Sequence, residues 1–120
     1  MANTFCHVEL MTGDVEKAKD FYGKLFSWKL EETPMEGGAP YIMINTGKEP
    51  GGGMMKAPEG APTAWSVYVL VESVADYVKK AEGLGGKVLV PETEVPKYGK
   101  FAFILDPTGG AIGLWESFEK

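Results

Sequence analysis

Arginine is absent from this chain of 120 residues, and cysteine and histidine occur once each, as Cys6 and His7. Without arginine, no bidentate guanidinium clamp for a carboxylate or phosphate can be built from the chain's own residues. The 12 basic residues are scattered lysines outnumbered by 17 acidic residues, for a formal net charge of −5. The clustered cationic footprint that neutralises phosphates is therefore missing, and no nucleic-acid partner is expected. A lone cysteine closes no internal disulfide, and there is neither a CxxC nor a Cys/His cluster for structural zinc. No apolar run approaches the ~20 residues that span a bilayer, so no membrane partner is expected. Met1-Ala2-Asn3-Thr4 shows no basic segment leading into an apolar one, which makes a cytoplasmic protein the expectation.

What is present points to a packed core. Hydrophobic residues make up 44% of the chain, and the 16 Gly and 8 Pro follow no short period, which excludes collagen-like and low-complexity sequence. A chain of this size buries roughly two-thirds of the surface its unfolded form exposes, so residues 1–120 are read as one domain that needs no staples.

That domain carries an internal repeat. Pairing each residue with the one 59 further on gives Val8/Val67, Val15/Val74, Leu25/Leu84, Leu30/Leu89 and Gly51/Gly110 as identities. Leu10/Val69, Ile42/Phe101, Ile44/Phe103 and Met55/Leu114 keep apolar character at the same offset. Two halves, about 4–57 and 63–117, are read as a duplicated supersecondary unit; a solenoid needs three or more repeats.

Each half has the same internal order. Phe5–Met11 and Trp65–Val71 read as strands. Asp14 caps a first helix whose apolar face is expected to hold Val15, Ala18, Phe21, Tyr22, Leu25 and Phe26. Ser73 caps a second, with Val74, Tyr77, Val78, Ala81 and Leu84 as its stripe and Gly85-Gly86 as its stop. Three strand-like runs follow each helix: 28–32, 41–45 and 52–56, then 87–91, 101–105 and 111–115. The expected fold is α+β, two tandem βαβββ modules whose curved mixed sheets enclose a central cavity, with the helices outside.

His7-Val8-Glu9-Leu10, followed by Gly13-Asp14-Val15 and Asp20-Phe21-Tyr22, resembles the opening of the vicinal oxygen chelate superfamily. That group includes glyoxalase I, the bleomycin-resistance proteins and the extradiol dioxygenases. The closing run from Phe101 to Glu116, with Asp106-Pro107-Thr108-Gly109, is similar to its D-P-x-G tail. The likeness covers essentially the whole chain. It implies the fold and not the reaction, because this scaffold carries many chemistries as well as plain binding.

The resemblance also implies where a metal would sit, on the first and last strands of both halves. The repeat places those positions at His7, Ser66, Met54 and Gly113. Only His7 is a competent ligand for Zn²⁺, Ni²⁺ or Fe²⁺, since a serine hydroxyl is weak, methionine is soft and glycine has no side chain. No cofactor is expected, with a divalent cation held through His7 and Glu9 as the alternative. The expected ligand pocket is lined by His7, Glu9, Met11, Met54, Ser66, Tyr68, Gly113 and Trp115, with His7 and Glu9 the candidates for any acid–base step. Cys6, on the other face of its strand from His7, is read as a small residue packed under the first helix. Gly51-Gly52-Gly53 lacks the GK[ST] ending of a phosphate loop and is read as a turn or bulge.

Two functions follow from the resemblance. The first is a metal-free small-molecule binder like the bleomycin-resistance proteins, commonly homodimeric. The alternative is a metal-dependent lyase or isomerase of the lactoylglutathione lyase type, or a dioxygenase, with an atypical metal site.

Overall fold

A computed structural model describes residues 3–34, 40–57 and 59–119. The order is β1 (Phe5–Thr12), α1 (Val15–Leu25), β2 (Lys29–Thr33), β3 (Tyr41–Asn45), β4 (Gly51–Lys56), β5 (Ala64–Leu70), α2 (Val74–Gly83), β6 (Lys87–Val95), β7 (Gly99–Leu105) and β8 (Ala111–Ser117). This is βαβββ twice, an α+β chain. It divides into two compact units, a first spanning His7–Ser66 and a second running from Val67 onward that also takes in the residues up to Cys6.

In the first unit the strands lie in the order β2-β3-β4-β1. β1 runs parallel to β4, pairing His7 with Gly51 and Glu9 with Gly53, while the β2–β3 and β3–β4 pairs are antiparallel. Asp14 caps α1 by accepting from the Lys17 N–H at 3.0 Å, which satisfies one orphan donor of the helix start. The core is Leu10, Val15, Ile42, Ile44 and Met54, with Ala18, Tyr22, Trp28 and Leu30 packed against it. The helix face that packs is therefore narrower than the sequence suggests. Phe21 and Leu25 stand 57% and 56% exposed, because a three-turn helix on a sheet buries only a stripe of its surface.

The second unit repeats the plan as β5-β8-β7-β6, with β5 parallel to β8 and the remaining pairs antiparallel. Ser73 accepts from the Asp76 N–H at 3.2 Å and starts α2. Gly85, at φ +96°, takes the left-handed conformation that ends the helix without a Cβ penalty. Val71, Val74, Ala102 and Leu114 form this unit's core, with Tyr77, Val78 and Ile104 against it. Leu84, expected on the apolar stripe, is instead exposed at the helix end.

Two further expectations are corrected. Cys6, expected to be buried, is only half-buried, its thiol 3.6 Å from the Tyr68 carbonyl oxygen. Gly51, Gly52 and Gly53 lie within β4 and form no turn.

Candidate functional site

Alternation along β1 puts Leu10 on the helix side of the first unit and turns His7, Glu9 and Met11 to the other face. Across from His7 and Glu9, β4 offers Gly51 and Gly53 and so no side chain, while Met55 stands opposite Met11. A tyrosine from the next strand crosses that bare strip. The Tyr41 hydroxyl donates to Glu9 Oε1 at 2.9 Å and lies 2.8 Å from His7 Nε2. His7 Nε2 and Glu9 Oε1 are themselves 3.5 Å apart, with side chains 27% and 5% exposed. Burial first, then the negative charge of Glu9 and its hydrogen bond, raise the Tyr41 phenol well above its ordinary pKa, so it stays a donor. A phenol has one hydrogen. With that hydrogen committed to an ionised Glu9, the contact to His7 requires the imidazole to bring its own, as Nε2–H.

Gly53 makes this arrangement possible. A Cβ at residue 53 would fall 1.7 Å from Tyr41 Oη, so the hydroxyl occupies the place where a β4 side chain would begin. The repeat predicts Met54 in the pocket. The β1–β4 register corrects this: Met54 pairs with Leu10 and is fully buried in the helix-side core, and residue 53 faces His7 and Glu9. Met11 is half-buried on the same strand face as Glu9, and Ser66 is half-buried near the end of the first unit. Tyr41 was not singled out from the sequence. A glycine run opposite a His-x-Glu strand, with a long polar side chain on the strand beyond it, is the pattern that signals such a crossing.

In the second unit the face away from α2 is aromatic. Tyr68 is 5% exposed, and its ring centroid lies 5.0 Å from that of Phe103 and 6.5 Å from that of Phe101. Gly113 pairs with Tyr68 and sits directly beneath its ring, where a Cβ would be 2.5 Å from ring carbon Cδ2. Trp115 lies on the same face opposite Phe101 and covers Gly99. Glu116 points the other way, accepting from the Val74 N–H at 2.9 Å at the start of α2.

The first unit has two surface cavities, one of them beside α1. One of about 320 Å³ is lined by Glu16, Lys19, Asp20, Lys24 and Trp28 among others, and one of about 150 Å³ by Val8, Ile44, Trp28 and Trp65. Neither includes any residue expected to line the ligand pocket.

The four strand positions implied for a metal are, with the corrected register, His7, Gly53, Ser66 and Gly113. One imidazole is the only strong donor among them, and its Nε2 is turned to a phenol oxygen. Among the described residues no three His, Cys, Asp or Glu side chains gather as a cation site. These residues do not fit a divalent ion, which takes three or four protein ligands.

Paired βαβββ modules with first-strand histidine and a D-P-x-G tail define a recognised class of α+β protein. The chain belongs to the Glyoxalase/Bleomycin resistance protein/Dioxygenase superfamily, whose family model matches residues 4–114. It is 37% identical over 115 residues to CFP32 of Mycobacterium tuberculosis, by name a candidate glyoxylase, covering 92% of this chain and 44% of that protein. It is 26% identical over 122 residues to the anthracycline biosynthesis protein DauV of Streptomyces sp. strain C5, covering 89% of this chain and 44% of that one. The chain thus spans under half the length of the curated relatives it matches. Among solved structures, a hypothetical protein of Bacillus halodurans superposes with a TM-score of 0.74 at 15% identity, covering 100% of this chain and 98% of that one. A methylmalonyl-CoA epimerase of Mycobacterium tuberculosis does so at 0.67 and 15%, covering 94% and 87%. At these identities the likeness is one of fold.

Proposed function

We propose that this chain is a small-molecule-binding member of the superfamily that works without a resident metal, with polar recognition supplied by His7, Glu9 and Tyr41. The observation that carries this reading is the Tyr41 hydroxyl, 2.8 Å from His7 Nε2 and 2.9 Å from Glu9 Oε1, over the glycine stretch of β4. A buried carboxylate in a fixed hydrogen-bond pair suits recognition of a ligand with donors. A homodimer and a cytoplasmic location accompany this reading.

The second reading, a glyoxalase-type lyase or isomerase with a divalent ion, is favoured by the name of the 37% identical relative. Metal analysis of the purified full chain, followed by titration with Ni²⁺, Zn²⁺ and Fe²⁺ and a thermal-shift screen of small aromatic and amphipathic compounds, separates the two. The expected result is substoichiometric metal and at least one stabilising compound whose effect is lost in His7→Ala and Glu9→Gln. Stoichiometric metal that disappears in His7→Ala would establish the second reading instead.

A further inference from the structure

The position of the Tyr41 oxygen is more specific than a hydrogen bond requires. It lies 2.8 Å from a histidine nitrogen and 2.9 Å from a carboxylate oxygen, and a Cβ on residue 53 would fall within 1.7 Å of it. Three strands therefore converge on one point: β1 through His7 and Glu9, β4 through residue 53, and β3 through Tyr41. An imidazole, a carboxylate and a side chain growing from residue 53 could share a divalent cation beyond that Cβ position. Here the phenol of Tyr41 stands where that side chain would start.

We infer that Tyr41 is the specificity-determining residue of this site: its hydroxyl and a side chain at position 53 are mutually exclusive, and the hydroxyl closes the His7–Glu9 pair to divalent cations. The exclusion has two parts. The ring and oxygen of Tyr41 take the volume, since Cζ and Cε2 also lie 2.2 and 2.8 Å from the Cβ position of residue 53. The hydrogen bonds take the electrons, because a proton held on Nε2 leaves no lone pair there to coordinate a metal. Gly53 is the complement of Tyr41, bare so that the phenol can cross β4. The inference rests on the proposed metal-free reading, but its test turns on variants and not on the metal content of the natural chain.

Because His7 is the only histidine, its imidazole signals are assigned without ambiguity by NMR. Tyr41→Phe should shift the His7 ring protons and nitrogens and speed solvent exchange of its N–H. Gly53→Ala, on another strand, should produce a similar change by displacing the hydroxyl. Gly13→Ala, whose Cβ meets nothing within 4 Å, should leave His7 unchanged. The gain-of-function arm is Tyr41→Ala combined with Gly53→His, which places a second imidazole beside His7 and Glu9 in the space the phenol leaves. It should bind Co²⁺ with the visible bands of a protein-ligated ion, and bind Zn²⁺ at least about 100-fold more tightly than the natural chain, in keeping with three protein ligands replacing one. Gly53→His alone, with Tyr41 retained, should gain far less. The inference is overturned if His7 is insensitive to both Tyr41→Phe and Gly53→Ala, or if the folded double variant binds no better than Gly53→His alone. If the double variant fails to fold, the NMR arm decides. Metal found in the natural chain defeats the proposed function directly, whereas the Tyr41 inference fails only through these variants.

Discussion

At the scale of single residues, the chain's chemistry is set by what surrounds a few polar groups. Burial raises the Cys6 thiol above its ordinary pKa, and the lone thiol contacts the Tyr68 carbonyl oxygen at 3.6 Å. Thiolate is the reactive form. Iodoacetamide at pH 8.5 should therefore alkylate Cys6 at least about tenfold more slowly in the folded chain than in 6 M guanidinium, since the pKa and the access both change. Equal rates in the two conditions would contradict that environment. His7 and Glu9 were legible as a pair, because alternation on a strand puts residues two apart on one face. Tyr41 was not, since nothing in local pattern tells how far a side chain reaches across neighbouring strands. The phenol crosses one strand spacing of about 4.8 Å, which only the bare glycines of β4 permit.

At the scale of elements, caps and order were readable, and register was not. Asp14 and Ser73 start their helices as local chemistry dictates. The repeat offset of 59 holds for Glu9 and Tyr68 on the first strands, but the equivalent glycines are Gly53 and Gly113, one residue further apart. Ile42 and Ile44, which the constant offset paired with Phe101 and Phe103, correspond in packing to Ala102 and Ile104. The slip was hidden because β7 is apolar on both faces, so a one-residue shift still matches apolar to apolar. It falls before β7, in the stretch that includes β6, whose pairing with β7 shifts register twice. Met54 was misplaced for this reason alone.

The corrected register makes its own prediction. Gly113→Ala puts a methyl 2.5 Å from Tyr68 Cδ2 and 2.9 Å from its Cγ, near the root of a ring held by Phe101 and Phe103. Such overpacking should cost roughly 1–3 kcal/mol in urea unfolding and alter the near-UV circular dichroism of the tyrosine. Gly13→Ala, where a Cβ meets nothing within 4 Å, should stay within about 0.5 kcal/mol of the natural chain. Equal effects at the two glycines would mean that Tyr68 does not lie over Gly113.

At the scale of the whole molecule, two groups on opposite sides of neutrality make stability depend on pH. The Asp106 carboxylate accepts from the Thr108 hydroxyl and N–H and from the Gly110 N–H in the D-P-T-G-G turn, and these bonds hold its pKa below the usual range. A lowered carboxyl pKa stabilises the fold above the unfolded value, and that contribution disappears as pH falls through the folded one. Tyr41 works in the opposite sense. Burial and Glu9 raise its phenol above the unfolded value near 10, so its contribution is complete below about pH 10 and is lost as pH climbs beyond it. At pH 7, Tyr41→Phe removes a hydrogen bond to a buried carboxylate and should cost about 1.5–3 kcal/mol. Between pH 7 and 11 the natural chain should lose more stability than Tyr41→Phe, so the gap between their urea midpoints should narrow. Asp106→Asn should mirror this on the acid side, with a gap to the natural chain that is full at pH 6 and shrinks below pH 4. A gap for Tyr41→Phe that stays constant or widens up to pH 11 would mean that the phenol is not held beside the ionised Glu9. The exclusion of cations argued from that contact would then lose its structural basis.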